Sequence, residues 1–267
     1  MALYDVMVES ERIESRGDPR LADYVDLRAG LTPDSVVIAE GLLAVEQLAT
    51  SRYPIRSVLT TPRRLERLPT VDAPVYVVDE NVLRATVGFN LHRGVVAAAD
   101  RPPLPDPASL LGDRVDRVAV LEGVNDHENL GGLFRNARAF GIHAVLLDPT
   151  TADPLYRRSV RVSMGHVLHV PFARLEPWPE QLALLHERGF TTVALTPLAD
   201  AEPIDEVAAA APERTAFLLG AEGPGLSPGA LAAVDRWVRV PISRDVDSLN
   251  VATAAAIAFH TLTPRDP

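Results

Sequence analysis

The chain contains no cysteine and no lysine among its 267 residues. Without cysteine it can form no disulfide framework, no thiolate nucleophile and no thiolate metal site. Without lysine, no side chain can act as a Schiff-base nucleophile. All 26 basic residues are therefore arginines, whose planar guanidinium group binds phosphate through paired hydrogen bonds. Coding bias in a GC-rich genome is the simpler explanation for the missing lysine.

Long apolar runs are also lacking, so the sequence predicts no membrane-spanning helix. The first residues, 1–18, are polar and acidic and contain no signal-peptide core. The composition is 47% hydrophobic and 23% charged, which is typical of a soluble globular protein, and we expect a cytoplasmic one. The net charge of −10 argues against a broadly basic nucleic-acid-binding surface but leaves room for a local arginine patch.

Predicted helices and strands alternate along the chain and fall into two α/β units. Residues 1–18 are predicted to be a flexible terminus, and 19–99 a small domain. A spacer over 100–113, with four prolines in the eight residues Asp100–Pro107, separates it from a larger domain over 114–267. The alternation predicts a mainly parallel sheet covered on both faces, with ligands at the carboxyl ends of its strands.

The first unusual loop of the larger domain leads into a helix near Asn129, a residue type that predicts a helix N-cap. Gly131 and Gly132 follow in the first turn, where each costs about 1 kcal/mol relative to alanine. Such a cost indicates that something approaches the backbone closely. Arg135 lies one turn further and predicts a cation at the loop mouth, with Arg138 beyond it. A solvated helix surface is the simpler alternative for these arginines.

The second loop, Gly220–Leu226, follows a buried apolar strand and contains three glycines and a proline. This composition predicts a tight turn with an exposed backbone, and Glu222 is its only carboxylate. The loop is neither a dinucleotide fingerprint nor a P-loop. By itself it is weak evidence for a nucleotide site.

The third loop, Pro241–Leu249, precedes an apolar, alanine-rich helix. Ser248 and Asn250 are both good N-cap residues, yet one cap is enough and Leu249 lies between them. Two interpretations stay open for this segment taken alone. It is either the start of a capped core helix or a loop that closes a small-molecule site, since a helix start leaves backbone N–H groups for a ligand.

In this order, the three loops resemble the motifs of the SpoU/TrmH family of SPOUT methyltransferases. The matching segments are Asn129–Ala137, Leu219–Leu226 and Val240–Val251. The resemblance covers about 115–263 and implies an α/β fold whose C-terminal SPOUT domain has a parallel sheet and a deep trefoil knot, a rare exception to unknotted topology.

A weaker resemblance extends to the N-terminal region. Ala39–Gly41 and His92–Val95 are similar to segments near the two ends of the family's small substrate-binding domain, which resembles ribosomal-protein-like RNA-binding domains. The resemblance implies an enzyme that uses S-adenosylmethionine to methylate a ribose 2′-hydroxyl in structured RNA, ribosomal rather than transfer RNA. It also implies a homodimer formed through the C-terminal domain.

The resemblance further implies roles for individual residues. The cofactor would be held by Gly220, Glu222, Gly223, Val240, Ile242 and Leu249. Methyl transfer would depend on Asn129, Arg135, Glu222, Ser248 and Asn250. Because a guanidinium group is almost always protonated, we expect Arg135 to bind the phosphate next to the target and polarise the hydroxyl rather than act as a free base.

The RNA is expected to meet five arginines, namely Arg135, Arg138, Arg157, Arg158 and Arg161. For the last three, a solvated helix face is an equally natural interpretation. The chain departs from the family pattern at Asp126, where many members have proline, and at His127 beside it. His166 and His169 have no third ligand nearby, so we expect no metal.

Two other function classes stay open at this point. A protein of the same fold could bind RNA without catalysing methyl transfer, although the intact polar residues of the three loops argue against this. An unrelated nucleotide-binding oxidoreductase of doubly wound type is disfavoured by the missing dinucleotide fingerprint.

Overall fold

A computed structural model describes residues 10–27, 33–91, 93–208, 212–243 and 245–262 of the chain. The chain divides into two compact units. The first unit is Met1–Pro103 together with Leu155–His169, and the second is Leu104–Pro154 together with Val170–Pro267. The division after Pro103 falls inside the spacer predicted over 100–113. The domain predicted over 114–267 needs correction, because the segment Leu155–His169 groups with the first unit.

The first unit is built around a mixed sheet. Its elements in chain order are β1 (Ser10–Arg12), β2 (Val36–Glu40), α1 (Leu42–Ala49), β3 (Ile55–Thr60), α2 (Pro62–Leu65), β4 (Val75–Val77), α3 (Glu80–Val87) and β5 (Val95–Asp100). The strand order is β1-β4-β3-β5-β2. Strands β1, β4 and β3 run parallel to one another, whereas β5 is antiparallel to both β3 and β2. Buried apolar side chains of β2 and β5 pack with Leu21 and Tyr24 to form the core of this unit.

The prediction of a flexible terminus over 1–18 is wrong from residue 10 onward. Ser10–Arg12 pairs in parallel register with Val75–Val77 of β4. All three residues of β1 are exposed, so their sequence carries no apolar signal and only the backbone pairing reveals the strand. Residues 1–9, and also His92 of the N-terminal resemblance, lie outside the residues that the structure describes.

The second unit contains a parallel sheet of seven strands. The remaining elements in chain order are β6 (Arg117–Glu122), α4 (His127–Ala139), β7 (Ala144–Leu147), α5 (Arg157–Val162, which groups with the first unit), β8 (Phe172–Arg174), α6 (Ala183–Glu187), β9 (Thr191–Leu195), β10 (Glu202–Pro203), α7 (Ile204–Ala208), β11 (Thr215–Gly220), α8 (Pro228–Ala232), β12 (Arg236–Arg239) and α9 (Val251–Leu262). The strand order is β10-β12-β9-β11-β6-β7-β8, with every neighbouring pair parallel. The predicted parallel α/β fold is confirmed.

The central strands β6 and β11 are buried on both faces because helices cover both sides of the sheet. On one face, Phe217 of β11 meets Phe259 of α9 edge to face, with ring centroids 5.2 Å apart. On the other face, Ala216 and Leu218 join a cluster that includes Leu185 of α6. Because both faces of the sheet are covered, the central strands are apolar on both faces. Within the described residues, no helix is long and apolar enough to cross a membrane.

Candidate active site

Three loops of the second unit meet through the side chain of Asn250. Its Nδ2 donates to Oδ1 of Asn129, 2.7 Å away, and to Oε1 of Glu222, 2.8 Å away. Asn129 follows β6, Glu222 follows β11, and Asn250 follows β12. Because parallel strands end at the same edge of a sheet, residues 121 positions apart in the sequence become neighbours here. One amide thus connects the three loops.

The opposite side of the same amide caps the last helix. Oδ1 of Asn250 accepts from the backbone N–H groups of Ala252, at 3.0 Å, and Thr253, at 3.1 Å. This bonding fixes the orientation of the amide, since the oxygen must face α9 and the nitrogen must face the other two loops. The sequence alone did not explain why two potential N-cap residues, Ser248 and Asn250, lie so close to each other. Asn250 is the residue that caps, and Ser248 lines the adjoining cavity.

Helix α4 begins earlier than predicted. Its N-cap is Asp126, whose Oδ1 accepts from the backbone N–H groups of Glu128, at 2.6 Å, and Asn129, at 3.1 Å. The prediction of Asn129 as the N-cap is therefore wrong. Because Asp126 takes that role, the side chain of Asn129 is left to accept the hydrogen bond from Asn250. Asp126 is also the position where the chain departs from the family pattern.

Gly132 lets α4 and α9 approach each other closely. A Cβ atom at Gly132 would lie 3.1 Å from the Cβ of Ala252, which is tighter than ordinary van der Waals contact. Next to it, Nδ2 of Asn136 donates to the carbonyl oxygen of Ala252 across 2.7 Å. The sequence correctly predicted a close approach to the α4 backbone at this position. At Gly132 the approaching group is another helix.

The loop after β11 requires glycine for two separate reasons. A side chain at Gly220 would collide with the backbone of Gly225 and Leu226, because the loop folds back on itself. Gly223 and Gly225 have φ angles of +90° and +69°, a region that side chains disfavour. The backbone N–H of Gly225 closes the turn on the carbonyl oxygen of Ala221 at 3.0 Å. The loop backbone is therefore held open toward the cavity beside it.

This cavity has a volume of about 370 Å³ and lies at the carboxyl ends of β9, β11 and β12. Its lining includes every residue predicted to hold a cofactor, namely Gly220, Glu222, Gly223, Val240, Ile242 and Leu249. Ser248 and Asn250 also line it. Sequence reasoning missed one wall, which is formed by Leu195, Thr196 and Pro197 directly after β9. The available signal was the position of these residues at a strand end, since they carry no distinctive motif.

Arg135 lies exposed on α4. In the described part of the chain, its guanidinium group forms no hydrogen bond or ion pair. Asn250 therefore bonds to Asn129 and Glu222, but none of these three residues bonds to Arg135. Arg138, three residues on, is exposed as well. The structure thus provides a cation on the helix that carries Asn129, outside the hydrogen-bonded cluster.

The arginines of α5 have a different environment from the predicted one. Arg157 forms an ion pair with Glu40, whose side chain is 3% exposed, and its guanidinium lies 4.8 Å from the ring centroid of Phe89. Nη1 of Arg161 is 3.6 Å from the other oxygen of Glu40. A buried carboxylate needs such a counter-charge, so Arg157 has a structural role in the first unit, and its contact with RNA stays a prediction. Arg158 is exposed.

Two buried carboxylates hold the strand-end loops in place. Glu122 accepts from Nε1 of Trp178, at 2.6 Å, and from the backbone N–H of Ser227, at 2.8 Å. Asp148, at the end of β7, accepts from the backbone N–H groups of Gly123 and Thr151. Burial acts to raise the pKa of Asp148, but these hydrogen bonds and those from Thr150 outweigh it and hold the pKa below its usual value. Both groups therefore anchor loop backbone, and the lowered pKa favours the ionised form of Asp148.

A parallel α/β sheet with a cavity at the carboxyl ends of β9, β11 and β12, beside the hydrogen-bonded residues Asn129, Glu222 and Asn250, is typical of a domain that binds a small molecule. The sequence model of the SpoU rRNA Methylase family matches residues 116–260. The chain belongs to this family.

Comparison with known proteins extends the likeness beyond the segment that the family model matches. A protein of Mycobacterium tuberculosis (strain ATCC 25618 / H37Rv), described as an uncharacterised tRNA/rRNA methyltransferase, is 50% identical over 258 residues, covering 92% of this chain and 89% of that protein. The Bacillus subtilis (strain 168) 23S rRNA (guanosine(2553)-2′-O)-methyltransferase RlmP is 27% identical over 94% of this chain and 99% of its own. The AdoMet-bound rRNA methyltransferase of Sinorhizobium meliloti has the same fold, with a TM-score of 0.81, 23% identity, and coverage of 95% of this chain and 97% of its own.

Proposed function

We propose that this protein uses S-adenosylmethionine to methylate a ribose 2′-hydroxyl of structured RNA, with ribosomal RNA as the substrate rather than transfer RNA. The observation that carries the proposal is the joining of Asn129, Glu222 and Asn250 by hydrogen bonds at the rim of the cavity. Membership of the SpoU family supports RNA methylation. The 2′-O specificity is supported by the full-length similarity to a 23S rRNA 2′-O-methyltransferase.

The cavity suits S-adenosylmethionine in size and in lining. Its volume of about 370 Å³ falls within the range of about 300–1,000 Å³ that small-molecule and cofactor sites occupy. Apolar side chains such as Leu219, Val238 and Val240 alternate with exposed glycine backbone around it. We assign main-chain contacts with the cofactor to Gly220, Val240 and Leu249. When bound, the cofactor supplies a methyl group that its sulfonium already activates.

The chain's own residues then have to orient the ribose and stabilise the loss of the hydroxyl proton. Glu222 and Asn129 are held by Asn250, so their positions at the rim are fixed before substrate arrives. Arg135 has its guanidinium available to solvent. It donates hydrogen bonds to the phosphate next to the target nucleotide and polarises the 2′-hydroxyl, whose proton passes to that phosphate or to solvent water because the guanidinium is already protonated. Ser248, on the cavity wall, helps to orient the ribose.

We also propose three properties at the level of the assembly. The loops after β11 and β12 form a deep trefoil knot, the C-terminal domain forms a homodimer, and the protein acts in the cytoplasm. The family resemblance supports the first two.

The proposed reaction is tested by two measurements. Isothermal titration of the purified protein with S-adenosylmethionine is expected to show binding at one site per chain. Ribose-methylation mapping of ribosomal RNA from cells that lack the protein is expected to reveal one missing methyl group, which the purified protein and cofactor restore. An unchanged methylation map, together with no cofactor binding, would contradict the proposal.

A further inference from the structure

A second cavity lies in the first unit, far in sequence from the three loops. It has a volume of about 290 Å³ and is lined by Thr61, Arg63, Arg64, Arg84, Asn90 and the carboxylate residue Glu80, among others. It sits just beyond Thr60 and Val77, the last residues of the parallel strands β3 and β4. Ligands of parallel sheets bind at that end of the strands.

Three arginines line this cavity, and the carboxylates that line it are too few to neutralise all three positive charges. Arg63, Arg64 and Arg84 form no hydrogen bond or ion pair through their side chains among the residues that the structure describes, and Glu80 supplies a single negative charge against three positive ones. Guanidinium groups placed around one space repel each other. An anion in the cavity would relieve that repulsion.

Several other arginines of the same unit form ion pairs, whereas Arg67 and Arg93 form none among the described residues. Arg20 bonds to Asp18 and Glu11, Arg56 to Asp23 and Asp100, and Arg157 to Glu40. In a chain with a net charge of −10, carboxylates are plentiful enough to pair the cavity arginines too. Their convergence without such partners therefore distinguishes this cavity from the rest of the unit's surface.

The local backbone keeps the arginine stems close to the cavity wall. Gly94 adopts φ +65°, and a Cβ there would lie 3.1 Å from Cγ of Arg64. The backbone N–H of Gly94 closes a turn on the carbonyl oxygen of Leu91, and its own carbonyl oxygen accepts from the backbone N–H of Thr61. Glycine thus allows the loop before β5 to pass directly beneath Arg64.

We propose that this cavity binds a phosphodiester of the RNA substrate. Arg63 and Arg84 contact the phosphate, and the amide of Asn90, which can both donate and accept, contacts the adjoining nucleotide. The inference rests on the proposed function for the nature of the polyanion. It assigns substrate recognition in the first unit to a defined pocket, which lies outside the family match at 116–260.

The test compares full-length variants that each lose one positive charge. Arg63→Ala and Arg84→Ala remove cavity arginines, while Arg67→Ala removes an exposed arginine near the same helix that does not line the cavity. Filter binding with an unmodified 23S ribosomal RNA transcript, between about 50 and 200 mM salt, measures affinity and its salt dependence. We expect each cavity variant to bind about tenfold more weakly and to lower the salt slope by about 1. Arg67→Ala should stay within about twofold of the wild type, since a lone exposed arginine changes the long-range field only slightly.

Isothermal titration with S-adenosylmethionine checks that the second unit, which holds the cofactor cavity, is intact, and urea unfolding of each full-length variant checks that the first unit is folded. RNA affinity in the Arg63→Ala/Arg84→Ala double variant equal to that of Arg67→Ala would overturn the inference, even with methyl transfer intact. Arg84-dependent binding of inorganic phosphate, with RNA affinity unchanged, would overturn it too by identifying a site for a free anion. A wild type that bound RNA through these arginines and yet transferred no methyl group is a third outcome. That result would support the inference and contradict the proposed function.

Discussion

At the scale of the residue, the two ends of the Asn250 amide can be tested separately. Asn250→Asp keeps the oxygen that caps α9 but loses both donated hydrogen bonds and places a carboxylate beside Glu222. Repulsion between the two carboxylates is expected to lower the affinity for S-adenosylmethionine by about tenfold. Asn250→Ser is the matched control, because serine also caps helices but adds no charge, and its affinity should fall less. Titration calorimetry compares the two, and equal affinities would refute the electrostatic explanation.

Arg135 and Arg138 form a second natural pair for comparison, since both lie exposed on α4. Arg135→Ala is expected to slow methyl transfer by about 100-fold or more, because it removes the charge that stabilises the reacting hydroxyl and its phosphate. Arg138→Ala should retain most of the rate. Affinity for the cofactor should be unchanged in both variants, because neither arginine lines the cavity. Normal turnover of Arg135→Ala in single-turnover assays would remove it from the mechanism.

At the scale of the element, the packing of α4 on α9 depends on the absence of one methyl group. Gly132→Ala gains about 1 kcal/mol of helix propensity, but its Cβ meets Ala252 at 3.1 Å, and overpacking typically costs about 1–3 kcal/mol. We expect a net loss in the free energy of unfolding of about 1 kcal/mol. Urea titration of Gly132→Ala, Ala252→Gly and the double variant measures the coupling. The double variant should regain the packing part of the loss, and strictly additive effects would mean that the helices do not clash.

Elements with an apolar pattern were predictable, and those without one were not. The strands β6 and β11 follow from buried runs such as Val118–Leu121 and Phe217–Leu219. Strand β1 is short and wholly exposed, so nothing in its residues distinguishes it from a loose terminus. The start of α4 was misplaced because Asp126 and Asn129 are equally good caps by type, and only the hydrogen bond from Asn250 shows that Asn129 has another role.

At the scale of the whole molecule, the depressed pKa of Asp148 ties stability to pH. Because the folded pKa lies below the unfolded value of about 4, its contribution to stability is complete above that value and is lost as pH falls through the folded pKa. The wild type should therefore lose this stability as the pH falls below about 4, the unfolded value. Asp148→Asn should be less stable at neutral pH and respond less to acid in thermal unfolding. Asp113→Asn, which changes an exposed carboxyl group, is the control and should follow the wild-type profile.

The polar residues of the candidate site could be chosen from the sequence. The hydrogen bonds between them could not be predicted. Motif order was enough to select Asn129, Glu222 and Asn250. It could not show that Asn250 bonds to the other two, because that depends on which strands neighbour one another in the sheet. The environment of Arg157 was missed for a similar reason, since its partner Glu40 lies 117 residues away and nothing local indicates the pairing.

The amide of Asn250 has a consequence for how the site comes into being. Its three attachments, to Asn129, Glu222 and the first turn of α9, belong to segments that meet only when β6, β11 and β12 have all taken their places in the sheet. No subset of these segments can present the complete rim. Cofactor binding therefore reports that the domain has folded completely. A folding intermediate that lacks any one of the three strands should not bind the methyl donor.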